Sequence, residues 1–350
     1  MTMTHPDNSS LADIRARHDA LVAAEPKLRI RDRAERLGVA EAQLVAADCG
    51  LSSTELRGPF QTVLREVGTL GEVMALSRNA WCVHERHGVY EDIQAEGPVG
   101  LVLGPDIDLR LFFSAWKFGY AVLENGRRSL QFFDKAGAAV HKIYRTDATD
   151  GDAWDALVAR FAQADKSPPV TESIAPADEA REAADPAALR AHWLALEDTH
   201  EFHGMLRKFK LSRTGALRAA GADLAQPVAN DTVETVLQSA AEQRLPLMCF
   251  VANRGIVQIH TGPVKKLVRT GPWFNVLDPK FNLHLDTTAI ASTWIVNKPT
   301  RDDGWVTSLE AFSESGELIV QFFGERKPGR PELKGWRELL LGRCAEPLAA

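Results

Sequence analysis

Two kinds of hydrophobic spacing alternate along the chain. "DRAERLGVAEAQLVAA" (Asp32–Ala47) brings its apolar residues round at helical spacing. "VMALSRNAWCVHE" (Val73–Glu85), "LRLFFSAWKFGYAVLE" (Leu109–Glu124), "SLQFFD" (Ser129–Asp134) and "AAVHKIY" (Ala138–Tyr144) are instead aromatic and β-branched runs. Turn signals divide them: Asn125–Gly126, then "DKAG". That pattern predicts a β-meander of hairpins. The later half repeats it, with "ESG" as the turn before "ELIVQFFG" (Glu317–Gly324). Each half reads as helices first and strands second, which predicts an α+β fold of antiparallel sheets backed by helices.

The halves also match in detail. "LGPDIDLRL" (Leu103–Leu111) lies over "LDPKFNLHL" (Leu277–Leu285) without a gap. At the same offset Val73–Gly88 lies over Leu247–Gly262, so that Met74 meets Met248, Asn79 meets Asn253, Val83 meets Val257 and Gly88 meets Gly262. "FDKAGAAVHKIY" (Phe133–Tyr144) lies over "FSESGELIVQFF" (Phe312–Phe323) after a short insertion near "NKPTRDDGW". Three segments in one order predict a tandem duplication. Residues 164–186, rich in Pro, Ala and acid, read as a linker between a first repeat, 1–163, and a second, 187–350. Extending the alignment puts His200 opposite about Leu28 and His203 opposite about Arg31, so the histidines belong to the second copy alone.

Composition narrows the field. A chain of 350 residues, 45% apolar and 25% charged, can bury a core and is not a disordered polymer. A formal net charge of −6 argues against a surface that coats nucleic acid. No apolar run approaches the roughly 20 residues that span a bilayer, so membrane insertion is not expected. "MTMTHPDNSS" at the N-terminus carries no apolar signal segment. Cys49, Cys82, Cys249 and Cys344 form no CxxC pair and no covalent haem-attachment motif, which fits a reduced, cytoplasmic compartment.

The chemistry gathers in "EDTHEFHGMLRKFKLSR" (Glu197–Arg213). His200 and His203, three apart on a helix, share a face. Phe202, Leu206 and Phe209 form an apolar stripe beside them. A solvated amphipathic helix is the ordinary explanation; a flat, apolar, metal-bearing, anionic ligand is the sharper one. A dedicated zinc site lacks companion ligands. Ser212 is placed to cap the next helix, with Arg213 in its first turn, where a cation is disfavoured; its presence there suggests an anionic partner. Strand alternation sends Gln321 and Phe323 one way and Val320 and Phe322 the other, with Arg326 and Lys327 at the strand's mouth. Lys298 in "WIVNKPT" is expected just before a turn. His84 and His87 read as polar strand-end residues, and His192, His260 and His284 are given no role. "RDRAERLGVAEAQLVAA" (Arg31–Ala47), with Gly38 at its turn, has the outline of a helix-turn-helix, against which stands the absence of a dense basic helix.

Taken in order, "VMALSRN", "DTHEFHGML", "FNVLDPKFNLHL", "IVNKPT…DGWVTSLEAF" and "ELIVQFFGERKPG" resemble the HemS/ChuS family of bacterial cytoplasmic haem-handling proteins over nearly the whole chain. The resemblance implies a duplicated α+β fold holding one haem b, without covalent attachment, between the helices and sheet of the second half. It implies His200 as proximal iron ligand and His203 as an alternative ligand. Arg213, Lys298, Gln321 and Arg326 would hold the propionates, and Arg110 would sit over the distal face. Phe323 stands where some members carry Tyr, so a hydroxyl contact is lost while the ring still packs. The implied function is haem uptake for iron acquisition, by sequestration or by delivery to a degrading enzyme, with a haem oxygenase or an inner-membrane haem transporter as partner. The alternative is oxidative opening of the porphyrin, a monooxygenase-like activity needing an external electron donor. A DNA-binding regulator is a third reading, and DNA contact is not expected.

Overall fold

A computed structural model describes residues 10–163, 168–174, 183–302, 304–326 and 330–350. Most of the expected linker, 164–167 and 175–182, and Lys327 lie outside the described residues. The chain gathers into two compact units. The first comprises Met1–Arg78, Glu85–Ala175 and Asn253–Gln258; the second comprises Asn79–His84, Pro176–Ala252 and Ile259–Ala350.

The earlier part of the chain runs α1 (Leu11–Ala24), α2 (Ile30–Leu37), α3 (Glu41–Ala47), β1 (Ser53–Glu55), α4 (Phe60–Val67), β2 (Gly71–Arg78), β3 (Cys82–Gly88), β4 (Ile93–Gln94), β5 (Val99–Leu103), β6 (Asp108–Phe112), β7 (Trp116–Glu124), β8 (Arg127–Asp134), β9 (Ala139–Thr149) and α5 (Gly151–Phe161). Its main sheet has the antiparallel order β1-β7-β8-β9-β2. Phe60, Val63, Leu64 and Val67 recur on one stripe of α4 and pack, with Trp154, Leu157 and Phe161 of α5, against Val73, Leu130, Phe132 and Ile143 of the sheet. The other face, with Tyr120, Val122 and Phe133, is covered by Ala42, Val45 and Ala46 of α3. The helix-turn-helix outline appears as α2, Gly38 and α3, but all seven residues of α3 are buried, so it presents no reading helix to a groove.

The later part repeats the plan: α6 (Pro186–Leu194), α7 (Glu201–Phe209), α8 (Arg213–Ala219), β10 (Ala225–Val228), α9 (Thr232–Gln243), β11 (Leu247–Asn253), β12 (Ile256–Gly262), β13 (Leu267–Thr270), β14 (Trp273–Leu277), β15 (Phe281–Asp286), β16 (Ser292–Thr300), β17 (Gly304–Phe312), β18 (Leu318–Gly324) and α10 (Lys334–Leu341). The order β10-β16-β17-β18-β11 mirrors the first sheet strand for strand. Val233, Val236, Leu237 and Ala240 of α9, with Trp336 and Leu340 of α10, cover Ile295, Leu309, Val320 and Phe322 on one face. Helices α6 to α8 cover Trp294, Val296 and Phe312 on the other. The predicted duplicated α+β architecture is therefore present. Gly38 and Lys210 both close their helices in the left-handed conformation, at φ 68° and 53°, which sets His200 opposite Leu28.

The paired asparagines of the repeat have matching duties. Within the first unit Asn253 Nδ2 donates to the carbonyls of Val140 at 2.8 Å and Arg78 at 3.0 Å. Within the second, Asn79 Nδ2 donates to the carbonyl of Ile319 at 2.8 Å, and its Oδ1 accepts from the amide of Cys82 at 2.9 Å. Each side chain thus satisfies buried backbone where a tight turn leaves it unpaired. No helix among the described residues is long and apolar enough to cross a membrane.

The first unit also buries an imidazole. His141 Nδ1 lies 2.8 Å from Ser77 Oγ and Nε2 lies 2.6 Å from Tyr90 OH. Burial lowers its pKa to about 3. The unfolded chain, with His near 6.5, therefore binds the extra proton between those values, and stability present at pH 7 is lost as pH falls below 6.5. At pH 5 the loss from this residue is about 2 kcal/mol. Urea unfolding at pH 7 and pH 5 is expected to show wild type losing that much more than His141→Gln; parallel losses would contradict it.

Candidate functional site

The site is built on the sheet face that α6 to α8 cover. Strand alternation turns Val296 and Lys298 of β16, Ser308 and Glu310 of β17, Gln321 and Phe323 of β18, and Met248 and Phe250 of β11 to that face. Glu310 pairs in register with Gln321, and Ser308 with Phe323. The Phe250 and Phe323 rings meet edge to face with centroids 5.0 Å apart. Met248, Phe250, Gln321 and Phe323 are half-buried, so an apolar shelf stays partly open beside the polar residues.

At the centre stands Glu310, with no exposed surface. Arg213 grips it with two prongs, Nε to Oε2 at 2.6 Å and Nη2 to Oε1 at 2.7 Å. Oε1 also accepts from Lys298 Nζ at 3.1 Å, Ser308 Oγ at 2.9 Å and Gln321 Nε2 at 2.9 Å. Burial alone would raise the Glu310 pKa; the charges of Arg213 and Lys298 overcome it and hold the carboxyl far below its ordinary range. Burial lowers Lys298 to about 8, against the pull of Glu310. Both cations also lie over the Phe202 ring, each 4.8 Å from its centroid. The anion that Arg213 meets in the structure is the protein's own Glu310. One expectation is corrected: the strand does not end at Lys298, which lies 2% exposed inside β16, three residues before the turn at 301–302.

Above this cluster, α7 buries Phe202 and Met205. Ser212 caps α8 as expected, its Oγ accepting from the Gly215 amide at 3.0 Å, and so delivers Arg213 to the sheet. His200 is the residue before the first turn of α7. Asp198 Oδ1 accepts from its backbone amide at 2.7 Å and from its ring Nδ1 at 2.6 Å. Burial works to raise the Asp198 carboxyl, but these bonds and the charge of Arg326 leave it lowered. A ring that gives its Nδ1 proton to a carboxylate presents Nε2 as a lone pair, and with 89% of the side chain exposed that nitrogen is accessible. His203 follows one turn later. Its residue surface is exposed, but partial desolvation on the side facing the sheet, then the charges of Arg213 and Lys298, bring its pKa down to about 4, so it is neutral at pH 7.

Four expected residues therefore converge: His203, Arg213, Lys298 and Gln321. Phe323 lines the shelf, and half-buried Arg326 acts on Asp198. Arg110 lies on β6 in the first unit, its guanidinium paired with Asp108 and bonded to the Leu109 carbonyl at 3.2 Å. His84, expected at a polar strand end, is buried against Phe281, ring centroids 4.9 Å apart. Glu310 and Asp198 were missed. The signal for Asp198 was its position two before a histidine; for Glu310 it was an acid inside the apolar run "SLEAF". Among the described residues no three of His, Cys, Asp and Glu gather to hold a bare metal ion. A cavity of about 410 Å³ in the first unit, lined by Arg57, Phe60, Trp116 and Lys117, shares no residue with this site.

A sheet face carrying a carboxylate-bound pair of cations, beneath a helix that presents an oriented imidazole, is the candidate ligand site of this α+β fold. The haemin-degrading HemS.ChuX domain matches residues 38–161 and 210–342, and the chain belongs to that family. The hemin transport protein HmuS of Yersinia pestis is 38% identical over 333 residues, 94% of this chain and 96% of that protein. Holo-PhuS, a heme-binding protein from Pseudomonas aeruginosa, superposes with a TM-score of 0.91 at 48% identity, covering 95% of this chain and 98% of that one. ChuS, an E. coli heme oxygenase, superposes with a TM-score of 0.87 at 35% identity, covering 95% and 99%.

Removing one partner of a buried ion pair leaves the other charge uncompensated. Arg213→Met is expected to cost about 3–5 kcal/mol at pH 7, read from urea unfolding. Glu310, depressed in the folded state, contributes stability above pH 4.5 that is lost as pH falls further. Arg213→Met raises the folded carboxyl back toward its unfolded value, so the variant should lose less stability than wild type as pH falls below 4.5; an acid limb as steep as wild type's would contradict the assignment.

Proposed function

We propose that this protein binds one haem b, non-covalently, in its second repeat and serves haem uptake for iron acquisition, sequestering haem or delivering it to a degrading enzyme in the cytoplasm. The observation that carries the reading is the pairing of an outward Nε2 on His200, oriented by Asp198, with a buried cluster of two cations and one acid. An imidazole nitrogen suits haem iron, and a carboxylate suits surplus guanidinium and ammonium donors. The half-buried Met248, Phe250 and Phe323 offer the apolar surface a macrocycle needs. The four cysteines are free thiols, which supports non-covalent binding and a reducing compartment.

In this reading His200 is the proximal ligand and His203, neutral and one turn away, the alternative. Arg213, Lys298, Gln321 and Arg326 hold the propionates, and Arg110 serves the distal side. Haem arrives from an inner-membrane transporter and leaves for a haem oxygenase. The second reading, that the protein opens the porphyrin itself, is favoured by the likeness to the E. coli heme oxygenase ChuS. It requires electrons from an outside donor. Product analysis with a physiological reductant, catalase present, separates enzymic opening from peroxide damage.

The decisive test is a haem titration followed by the Soret band, with release measured by transfer to apomyoglobin. His200→Ala is expected to shift the band and speed release by at least about tenfold, while His203→Ala leaves the resting band in place and slows ligand exchange. The proposal fails if neither variant alters the spectrum or the release rate.

A further inference from the structure

The carboxylate of Glu310 is over-supplied. Its Oε1 has four donors within 3.1 Å: Arg213 Nη2, Lys298 Nζ, Ser308 Oγ and Gln321 Nε2. An oxygen with about two lone-pair directions cannot serve four donors well. The buried cluster also holds two cations against one acid, a surplus of one positive charge. The first repeat's cluster carries the same surplus, so it is the spare donors that match this site to one additional carboxylate.

The first repeat shows the closed version of the same arrangement. There the acid is Glu41, whose two oxygens each take one cation: Lys142 at 2.5 Å on Oε1, and Arg78 on Oε2. Gln131 occupies the strand position that Glu310 holds in the second repeat, and it bonds only to Ser129 among the hydrogen bonds of its side-chain amide, at 3.0 Å. The sheet acid with crowded donors is thus a feature of the second repeat, where the histidines are.

We propose that Glu310 is a resident competitor for the ligand's carboxylate, a positioning residue that keeps Arg213, Lys298 and Gln321 gathered in the empty site and hastens release of the bound ligand by reclaiming their donors. This rests on the haem-binding reading above. The ligand's carboxylate draws on the same three donor residues as Glu310, and a contested hold is weaker than an exclusive one. The same competition disappears when the ligand has no carboxylate.

The probes are haem and haem dimethyl ester, each loaded on the full chain and chased with excess apomyoglobin. In Glu310→Gln, haem release is expected to slow by about tenfold, the worth of one charge-assisted bond, while release of the ester stays within about twofold of wild type. Glu310→Asp keeps the charge while drawing the carboxylate back from its donors. It is expected to slow haem release in the same direction by a smaller factor, and it carries the test should the Gln variant fail to fold. Unchanged or faster haem release in a folded variant overturns the proposal, as does equal slowing of haem and ester, which would mark a general structural effect. If wild type takes up no haem, the functional reading fails with it; if wild type binds and only the variants disappoint, the competitor role alone falls.

Discussion

A carboxylate stripped of all water, at Glu310, is the constraint on which the second repeat's working face depends. Burying it alone would be prohibitive, so the fold must bring cations to it. One comes from its own sheet, Lys298, and the other from the start of a helix, Arg213. A guanidinium at a helix N-terminus is opposed by the helix dipole. It is held there because the bidentate bond to Glu310 outweighs that opposition, and because the Ser212 cap fixes the entry of α8. Phe202, under both cations, ties α7 to the same point. The placement of His203 therefore follows from a residue on the opposite side of the core.

The two repeats show how one scaffold supports different chemistry. Both bury an acid with two cations on the same sheet face, beneath the helix that follows a left-handed cap. In the first repeat the acid, Glu41, rides on the helix and the cations stand on the strands; α3 is sealed and α2 carries no histidine. In the second the acid has moved to the strand. That exchange turns the helix-borne group from acceptor to donor and leaves donors in excess. The net charge of the two clusters is the same.

How much of this was legible follows from which interactions are local. The helix stripe of α4, the period-two strands and the tandem repeat are written in neighbouring residues, and they were readable. So were the cap at Ser212 and the alternation that separates Gln321 and Phe323 from Val320 and Phe322. Glu310 was not, because its partners come from three segments that only the folded sheet brings together. Lys298 was misjudged for a different reason. "NKPT" has turn chemistry, yet β16 continues through Pro299 to Thr300. Its neighbour β10 pairs with Thr293 to Val296, and the Asn297 amide still donates to the Leu224 carbonyl at 2.8 Å; Pro299 lies beyond that bond, where a residue without an amide proton is tolerated. Asp198 escaped notice because a two-residue loop contact leaves no periodic trace.

The distances and exposures also divide the site into two kinds of end. The nitrogen proposed to meet iron sits at an exposed helix start, oriented by one carboxylate and open to exchange. Of the donors proposed to meet carboxylate, Lys298 is buried and Arg213 and Gln321 are half-buried, and all three are braced on Glu310. Charge-assisted bonds there are worth about 1.5–3 kcal/mol each, so in the proposed reading the sheet sets the orientation of the ligand. The second imidazole fits that division. Held neutral first by desolvation and then by the cations beneath it, His203 need lose no proton near pH 7 before it can offer a lone pair in the proposed exchange. A site that only retained its ligand would gain from burying the proposed iron-binding nitrogen as deeply as Lys298; the 89% exposure of the His200 side chain is what favours the proposed delivery.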